Sequence, residues 1–263
     1  MIRALFTAST GMLAQQMNID TIANNLANVN TTGFKKSRVN FQDLMYETIT
    51  PAGTETTAGT TIPTGVQIGH GVRPSSVSKL FTPGNLIQTG NPLDLVIEGD
   101  GFFQIEMPDG TIAYTRDGSF KVNQEGTIMT ADGYPLSPQI SVPTDAEEIT
   151  VGSDGTISAR VPGNSTPQAL GTLQLVRFSN PPGLDARLGR NLLLESEASG
   201  TPTTSQAGQD GAGLIEQGFV ENSNVQVVEE ILQLIIAQRA YEANSKIIQA
   251  SDEMLQLANN VRR

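Results

Sequence analysis

The sequence predicts an α+β protein. N- and C-terminal helices pack as an antiparallel coiled-coil-like pair, and extended linkers join them to a central antiparallel all-β domain. Three observations predict this. Apolar residues recur at helical spacing at both ends of the 263-residue chain. Between the ends, short alternating runs are separated by Asp-Gly and Glu-Gly pairs. Thr-, Gly- and Ser-rich stretches without periodicity separate these regions. The division is a helix at 1–30, a linker at 31–72, a β-domain at 73–204, a return linker at 205–222 and a helix at 223–263.

The N-terminal helix follows from a stripe that alternates steps of three and four: Met1, Leu5, Ala8, Met12, Gln15, Ile19, Ile22, Leu26 and Val29. Gly11 is a weak point, about 1 kcal/mol worse than Ala. The run Asn30-Thr31-Thr32-Gly33 favours local side-chain bonding and a left-handed cap, so the helix should end near Asn30. The Lys35, Lys36 and Arg38 that follow read as a solvated helix exit.

The β-domain follows from alternation at Leu93, Leu95 and Ile97 and again at Phe103, Ile105 and Met107. Turn pairs then recur at Asp109-Gly110, Asp117-Gly118, Glu125-Gly126 and Asp132-Gly133. Ile149 and Val151, Asp154-Gly155, and Ile157, Ala159 and Val161 read as a further hairpin. Leu173/Leu175 and Leu192/Leu194 add possible strands, and stretches 46–65 and 195–213 read as extended linkers.

The C-terminal helix has the longer stripe: Val225, Val228, Leu232, Ile236, Ala240, Ala243, Ile247, Ala250, Met254, Ala258 and Val261. Ser223 and Gln226 fit a capping box at its start. A second apolar set, Ile231, Leu234, Ile235, Ile248 and Leu255, widens the stripe beyond what one partner helix covers.

Charge is distributed unevenly. The net charge is −11, yet residues 1–29 carry only Arg3 and Asp20, and residues 225–263 sum to −1. Asparagine and glutamine stand where a solvated helix would carry Glu and Lys. Amides cross an interface with less desolvation penalty than charges, so both ends read as surfaces meant to be covered. The acidic balance argues against nucleic-acid binding, which needs a basic patch. No apolar run approaches the roughly 20 residues of a membrane span, and no cleavable secretion leader is expected. With one arginine on the N-terminal helix, a membrane-surface role is weak too.

The chain has no cysteine, which excludes disulfides and thiolate metal sites. Its one histidine, His70, sits between Gly69 and Gly71 and reads as a turn rather than a catalytic base or zinc ligand. Asp94, Glu98 and Asp100 fall at a strand end, where solvated loop carboxylates are the plainer reading than a glycosidase pair. There is no phosphate-cradling loop. No catalytic residue, cofactor or metal is expected.

Three segments carry a resemblance. "TASTGMLAQQMNIDTIANNLANVNTTGFKKSRVNFQDL" (7–44) and "GFVENSNVQVVEEILQLIIAQRAYEANSKIIQASDEMLQ" (218–256) resemble the terminal signatures of bacterial flagellar rod and hook proteins. "LDLVIEGDGFFQIEMPDGTIAYTRDGSFKVNQEGTIMTADGYPL" (93–136) is similar to the β-domain of the same family. The resemblance implies a structural subunit of a hollow helical homopolymer. Its terminal helices would line the channel and its β-domain would face outward. It implies rod and hook subunits, surrounding ring proteins and the flagellar export apparatus as partners, and a place in the rod across the periplasm. It also implies a segment after the N-terminal signature that distinguishes straight rod from bendable hook, placed here at about 46–63 with Tyr46, Pro51 and Pro63. The alternatives are a proximal-rod or hook subunit of the same family, or a secreted β-domain adhesin or carbohydrate-active protein.

For the assembly interface, the expected helix seam is Leu5, Met12, Ile19, Leu26, Leu232, Ile236, Ile247 and Met254. The expected amide, ionic and aromatic contacts are Asn24, Asn25, Asn28, Gln238, Arg239 and Tyr241.

Overall fold

Two helices enclose a long run of antiparallel strands in sequence. The structure is a computed structural model that describes residues 2–53, 55–57, 60–61, 63–163 and 167–261. Met1 of the expected stripe and positions 54, 58, 59 and 62 of the expected rod-type segment lie outside those residues, as does the Val261 side chain. The chain forms two compact units. One comprises Met1–Leu26, Ser37–Ser78 and Gln226–Arg263; the other comprises Ala27–Lys36 and Lys79–Val225.

The first unit holds both helices. Helix α1 spans Ile2–Ala27 and α2 spans Val227–Val261. The end of α1 comes three residues before Asn30, because Asn28 closes a turn: its carbonyl accepts the Thr31 N–H at 3.2 Å and its Oδ1 accepts the Thr31 hydroxyl at 3.2 Å. At the start of α2, Ser223 forms a local turn instead of the expected capping box, its Oγ accepting the Val225 N–H at 3.3 Å. Glu229 and Glu230 in the first turn suit the positive end of the helix dipole.

Two contacts set the direction of the helix pair. A Cβ at Gly11 would sit 2.7 Å from Asn244 Nδ2, and Asn25 Nδ2 donates to Glu230 Oε2 at 3.2 Å. Moving up α1 from Gly11 to Asn25 corresponds to moving down α2 from Asn244 to Glu230. The buried positions are small or polar: Ala8, Ala14 and Asn25 with Ile22 on α1, and Glu230, Ala237 and Ser251 on α2. Small residues let helix backbones approach closely, which gives Gly11 a packing role that offsets its poor helix propensity.

Between the helices, six strands nest as one long hairpin. Strands β1 (Ser37–Asp43), β2 (Tyr46–Thr50), β3 (Glu55–Thr57), β4 (Thr60–Thr61), β5 (Val66–Gly69) and β6 (Val72–Lys79) pair as β1 with β6, β2 with β5 and β3 with β4. The register places Tyr46 opposite Gly69 and Glu47 opposite Ile68. An extended linker was expected through much of this stretch. Its threonines are β-branched and favour strands, a preference that a lack of apolar alternation concealed.

The second unit is antiparallel β throughout. Strands β7 (Leu86–Gln88) and β8 (Leu95–Glu98) lead into the hairpin β9 (Phe103–Glu106) and β10 (Ile112–Thr115). The short pair β11 (Lys121–Val122) and β12 (Ile128–Met129) follows, and β13 (Leu136–Ser137) returns to β9. Strands β14 (Glu148–Val151), β15 (Thr156–Arg160) and β16 (Gln168–Thr172) form a three-stranded sheet around the expected Asp154-Gly155 turn. Strand β17 (Gln174–Arg177) pairs with β18 (Thr203–Gln206). Finally β19 (Leu214–Gln217) pairs with β8, and β20 (Phe219–Glu221) with β7. The segment expected as a return linker therefore carries two strands that close the unit against its own entry strands.

The core of this unit gathers Leu95, Ile97, Phe103, Ile105, Phe120, Ile128, Leu175 and Ile215, all buried. Phe103 and Phe120 meet edge to face at 5.2 Å. In β8, Leu95, Val96 and Ile97 are all buried, so both faces of that strand are covered and the expected alternation is absent. Asp117-Gly118 also departs from the simple turn reading. A Cβ at Gly118 would lie 1.6 Å from the Leu95 carbonyl oxygen, so the glycine is required by close backbone approach.

Candidate assembly interface

An asparagine on α1 organises the helix unit. Asn25 is 2% exposed. Its Nδ2 donates to the Ser37 carbonyl at 2.9 Å, its Oδ1 accepts the Ser37 N–H at 2.8 Å, and Nδ2 also reaches Glu230. One amide thus fixes the first residue of β1 and the first turn of α2 to the same point of α1. Only a group with adjacent donor and acceptor can satisfy both backbone groups of one residue.

The base of the hairpin is held by α1 as well. A Cβ on Gly71 would fall 2.1 Å from Thr10 Oγ1, and the Val72 N–H reaches that hydroxyl at 3.4 Å. Glycine is required here by the helix pressed against it and by a φ of +114°. His70 lies in this turn, its N–H donating to the Met45 carbonyl at 3.2 Å. An exposed ion pair from Arg3 to Glu47, 2.7 Å, links α1 to β2.

With these contacts in place, apolar surface remains uncovered. On α1 the outward side chains include Phe6, Leu13 and Met17, with Phe6 68% exposed. On α2 they include Val228, Leu232, Ile235, Ile236, Ile247, Met254 and Leu257, with Val228 73% and Ile236 62% exposed. The hairpin adds Met45, Tyr46, Ile49, Val66 and Ile68. A two-stranded ribbon has little independent stability, and apolar strips of this length mark interaction surfaces.

The residues expected along the seam fall on surfaces of two kinds. Leu5, Met12, Ile19 and Leu26 are half-buried on α1. Leu232, Ile236, Ile247 and Met254 are exposed, because the face of α2 turned inward runs through Glu230, Ala237, Asn244 and Ser251 instead. Periodicity detects an apolar face but cannot say which partner covers it, and the close-packed face here is made of small and polar residues. Asn24 is exposed and Asn28 half-buried. Gln238, Arg239 and Tyr241 are exposed, with Arg239 3.6 Å from Glu242. In the expected rod-type segment Tyr46, Pro51 and Pro63 are all exposed, and the Tyr46 ring lies across the strand pair from Gly69.

A second group escaped sequence reading altogether. Lys35, Arg116 and Glu221 form a buried ionic cluster in the β unit, exposed by 3%, 6% and 2%. Lys35 Nζ donates to Glu221 Oε1 at 2.6 Å and to the Thr82 carbonyl at 2.7 Å. Arg116 Nε donates to Glu221 Oε2 at 3.0 Å, and its remaining nitrogens bond the carbonyls of Ile97, Gly99 and Gly101. The Gly84 N–H adds a bond of 2.8 Å to Glu221 Oε1. The solvated exit expected at Lys35 is thus corrected: its ammonium has a carboxylate and a carbonyl that repay its desolvation. Burial still lowers the Lys35 pKa below the ordinary lysine value, with Glu221 pulling against it. Burial opposes charge on Glu221 too, but Arg116 and Lys35 outweigh it and hold its pKa below the usual carboxylate value. Lys35 and Arg116 lie 186 and 105 residues from Glu221, so no local motif marks the cluster.

The described residues contain no cluster of His, Asp or Glu suited to hold a metal ion, and no helix among them is long and apolar enough to cross a membrane.

Comparison with known families identifies three matching regions. Residues 5–35 match the family described as flagella basal body rod protein. Residues 96–159 match the flagellar hook protein FlgE/F/G D1 domain, and residues 216–261 match the flagellar basal body rod FlgEFG protein C-terminal region. Among full-length relatives, the flagellar basal-body rod protein FlgG of Buchnera aphidicola subsp. Schizaphis graminum is 49% identical over 97% of this chain and 98% of its own length. The protein of the same name from Borreliella burgdorferi is 48% identical over the whole of both chains. That from Caulobacter vibrioides is 46% identical over 99% of this chain and all of its own.

Proposed function

The chain belongs to the flagellar basal-body rod protein family, and we propose, on that premise, how its surfaces serve the flagellar distal rod. It is a structural subunit of that rod. Subunits add end to end and side by side through contacts that do not close on themselves, which generates a helical tube. The antiparallel α1–α2 pair extends as a coiled-coil-like unit along the wall of the tube, around the export channel. The exposed apolar face of α2, with Leu232, Ile236, Ile247 and Met254, packs against the helices of neighbouring copies. The half-buried Leu5, Met12, Ile19 and Leu26 support that packing from α1, with Asn24, Asn28, Gln238, Arg239 and Tyr241 at its polar margin.

The hairpin formed by β1 to β6, with Tyr46, Pro51 and Pro63, lies between subunits and resists bending, so the tube stays straight and passes torque from motor to hook. The β unit supplies the surface that meets the surrounding rings. Proximal-rod and hook subunits occupy the tube's two ends. The chain reaches the tip through the flagellar export apparatus, and its helix faces become covered only on arrival. Folding and association are then coupled.

The observation that supports this reading best is the uncovered apolar strip of α2 on a helix otherwise held by Asn25 and the Gly11 notch. The paired change Leu232→Glu with Ile236→Glu tests it. Electron microscopy of concentrated protein should show straight tubes for the parent chain and none for the variant. Tubes of normal length and straightness from the variant would reject the assignment of this face.

A further inference from the structure

Beside the buried cluster lies a cavity of about 20 Å³ in the β unit, lined in part by Lys35, Lys79, Arg116 and Asn191. That is room for one water molecule or one small ion. Three cations border the space, and Glu221 is the carboxylate paired with two of them. Lys79 has no such partner. Its ammonium sits 5.0 Å from the centre of the Phe34 ring, and among the described residues no carboxylate lies within ion-pair reach of it. A ring face offers a cation only a weak partial charge.

The hydrogen bonds show the same imbalance. An ammonium has three N–H donors. Lys35 uses two, on Glu221 and Thr82. Asn191 uses one of its amide hydrogens on the Thr32 carbonyl at 2.7 Å and has a second. The Lys79 donors have no acceptor among the described residues. The cavity wall therefore presents surplus positive charge and surplus donors, on a chain whose net charge is −11. A concave, partly dry space lined by uncompensated charge of one sign concentrates solvent ions of the opposite sign.

We propose that this cavity binds a small monovalent anion of about chloride size, held by the Lys79 ammonium with Lys35 and Asn191. Its size selects against bulky anions. Occupancy ties Lys79, the segment at Lys35 and the turn at Asn191 to one charge, and so stiffens the β unit where the chain enters it. Burial lowers the Lys79 pKa, and an anion at the site reverses that penalty.

The test uses the full chain and chloride itself. Quadrupolar line broadening of chloride should be present with the parent protein, retained by Lys79→Arg, and reduced at least about threefold by Lys79→Met. In parallel, exchanging chloride for gluconate at constant ionic strength should lower the parent's unfolding midpoint by about 2–4 °C. The same exchange should leave Lys79→Met unmoved. Equal broadening by parent and Lys79→Met, in a variant whose circular dichroism is unchanged, would overturn the proposal. So would an equal effect of gluconate on both.

Discussion

Asn25 of α1 pairs with both backbone groups of Ser37, accepting its N–H at 2.8 Å and donating to its carbonyl at 2.9 Å. The same amide nitrogen reaches Glu230. This buried side chain joins one helix, the start of the hairpin and the second helix. Asn25→Asp keeps the acceptor, loses the donor, and places a charge beside Glu230. It should destabilise the helix unit by about 3 kcal/mol. Hydrogen exchange at the Ser37 amide is the direct check, with protection falling by more than tenfold.

Glu221 balances two buried cations. Glu221→Gln preserves shape but leaves Lys35 and Arg116 without a counter-charge, which should destabilise the β unit by about 3–5 kcal/mol. Urea denaturation monitored in the β unit measures the change.

Acid should erase that difference. The folded-state pKa of Glu221 is depressed, so its ionised form contributes stability at pH values above the ordinary carboxylate value. The contribution falls away as pH drops through the lower, folded-state value. Lys35 stays protonated in both states over this range and adds no slope there. The gap between the parent and Glu221→Gln should therefore be widest near neutrality and close steadily in acid, as followed by urea midpoints across the pH range.

Gly71 meets α1 in a backbone conformation that side chains rarely adopt. Gly71→Ala should destabilise the protein by about 2–3 kcal/mol, since its Cβ would strike Thr10 Oγ1. Gly110→Ala is the control. Its φ is also positive, at +79°, but no atom lies within 4 Å, so strain alone should act, at about 1 kcal/mol. Thermal unfolding of the two variants separates collision from strain.

Much of this was legible in the sequence because it rests on local pattern. Helical spacing marks both helices, and Asp154-Gly155 marks the β14–β15 hairpin, since three to eight residues suffice to show a period or a turn. What stayed hidden depends on partners far along the chain. Strands β19 and β20 read as linker because their pairing partners, β8 and β7, lie over a hundred residues away. Lys35 read as solvated because its carboxylate lies 186 residues on. Leu232 and Ile236 read as helix seam of an assembly interface, and apolar spacing reports only that a face is to be covered, not by what. Asn25 was expected to make amide contacts within or between subunits, but its bonds to Ser37 rest on a geometry that only the fold supplies.

In the proposed assembly the outer face of α2 is bare in the single subunit and covered in the tube. Because the chain contains no cysteine, Ile236→Cys introduces a single reporter thiol. Its alkylation rate should be close to that of a free thiol in dilute monomer and at least a hundredfold slower, roughly, in assembled tubes. Equal rates in the two states would show that this face stays bare on assembly.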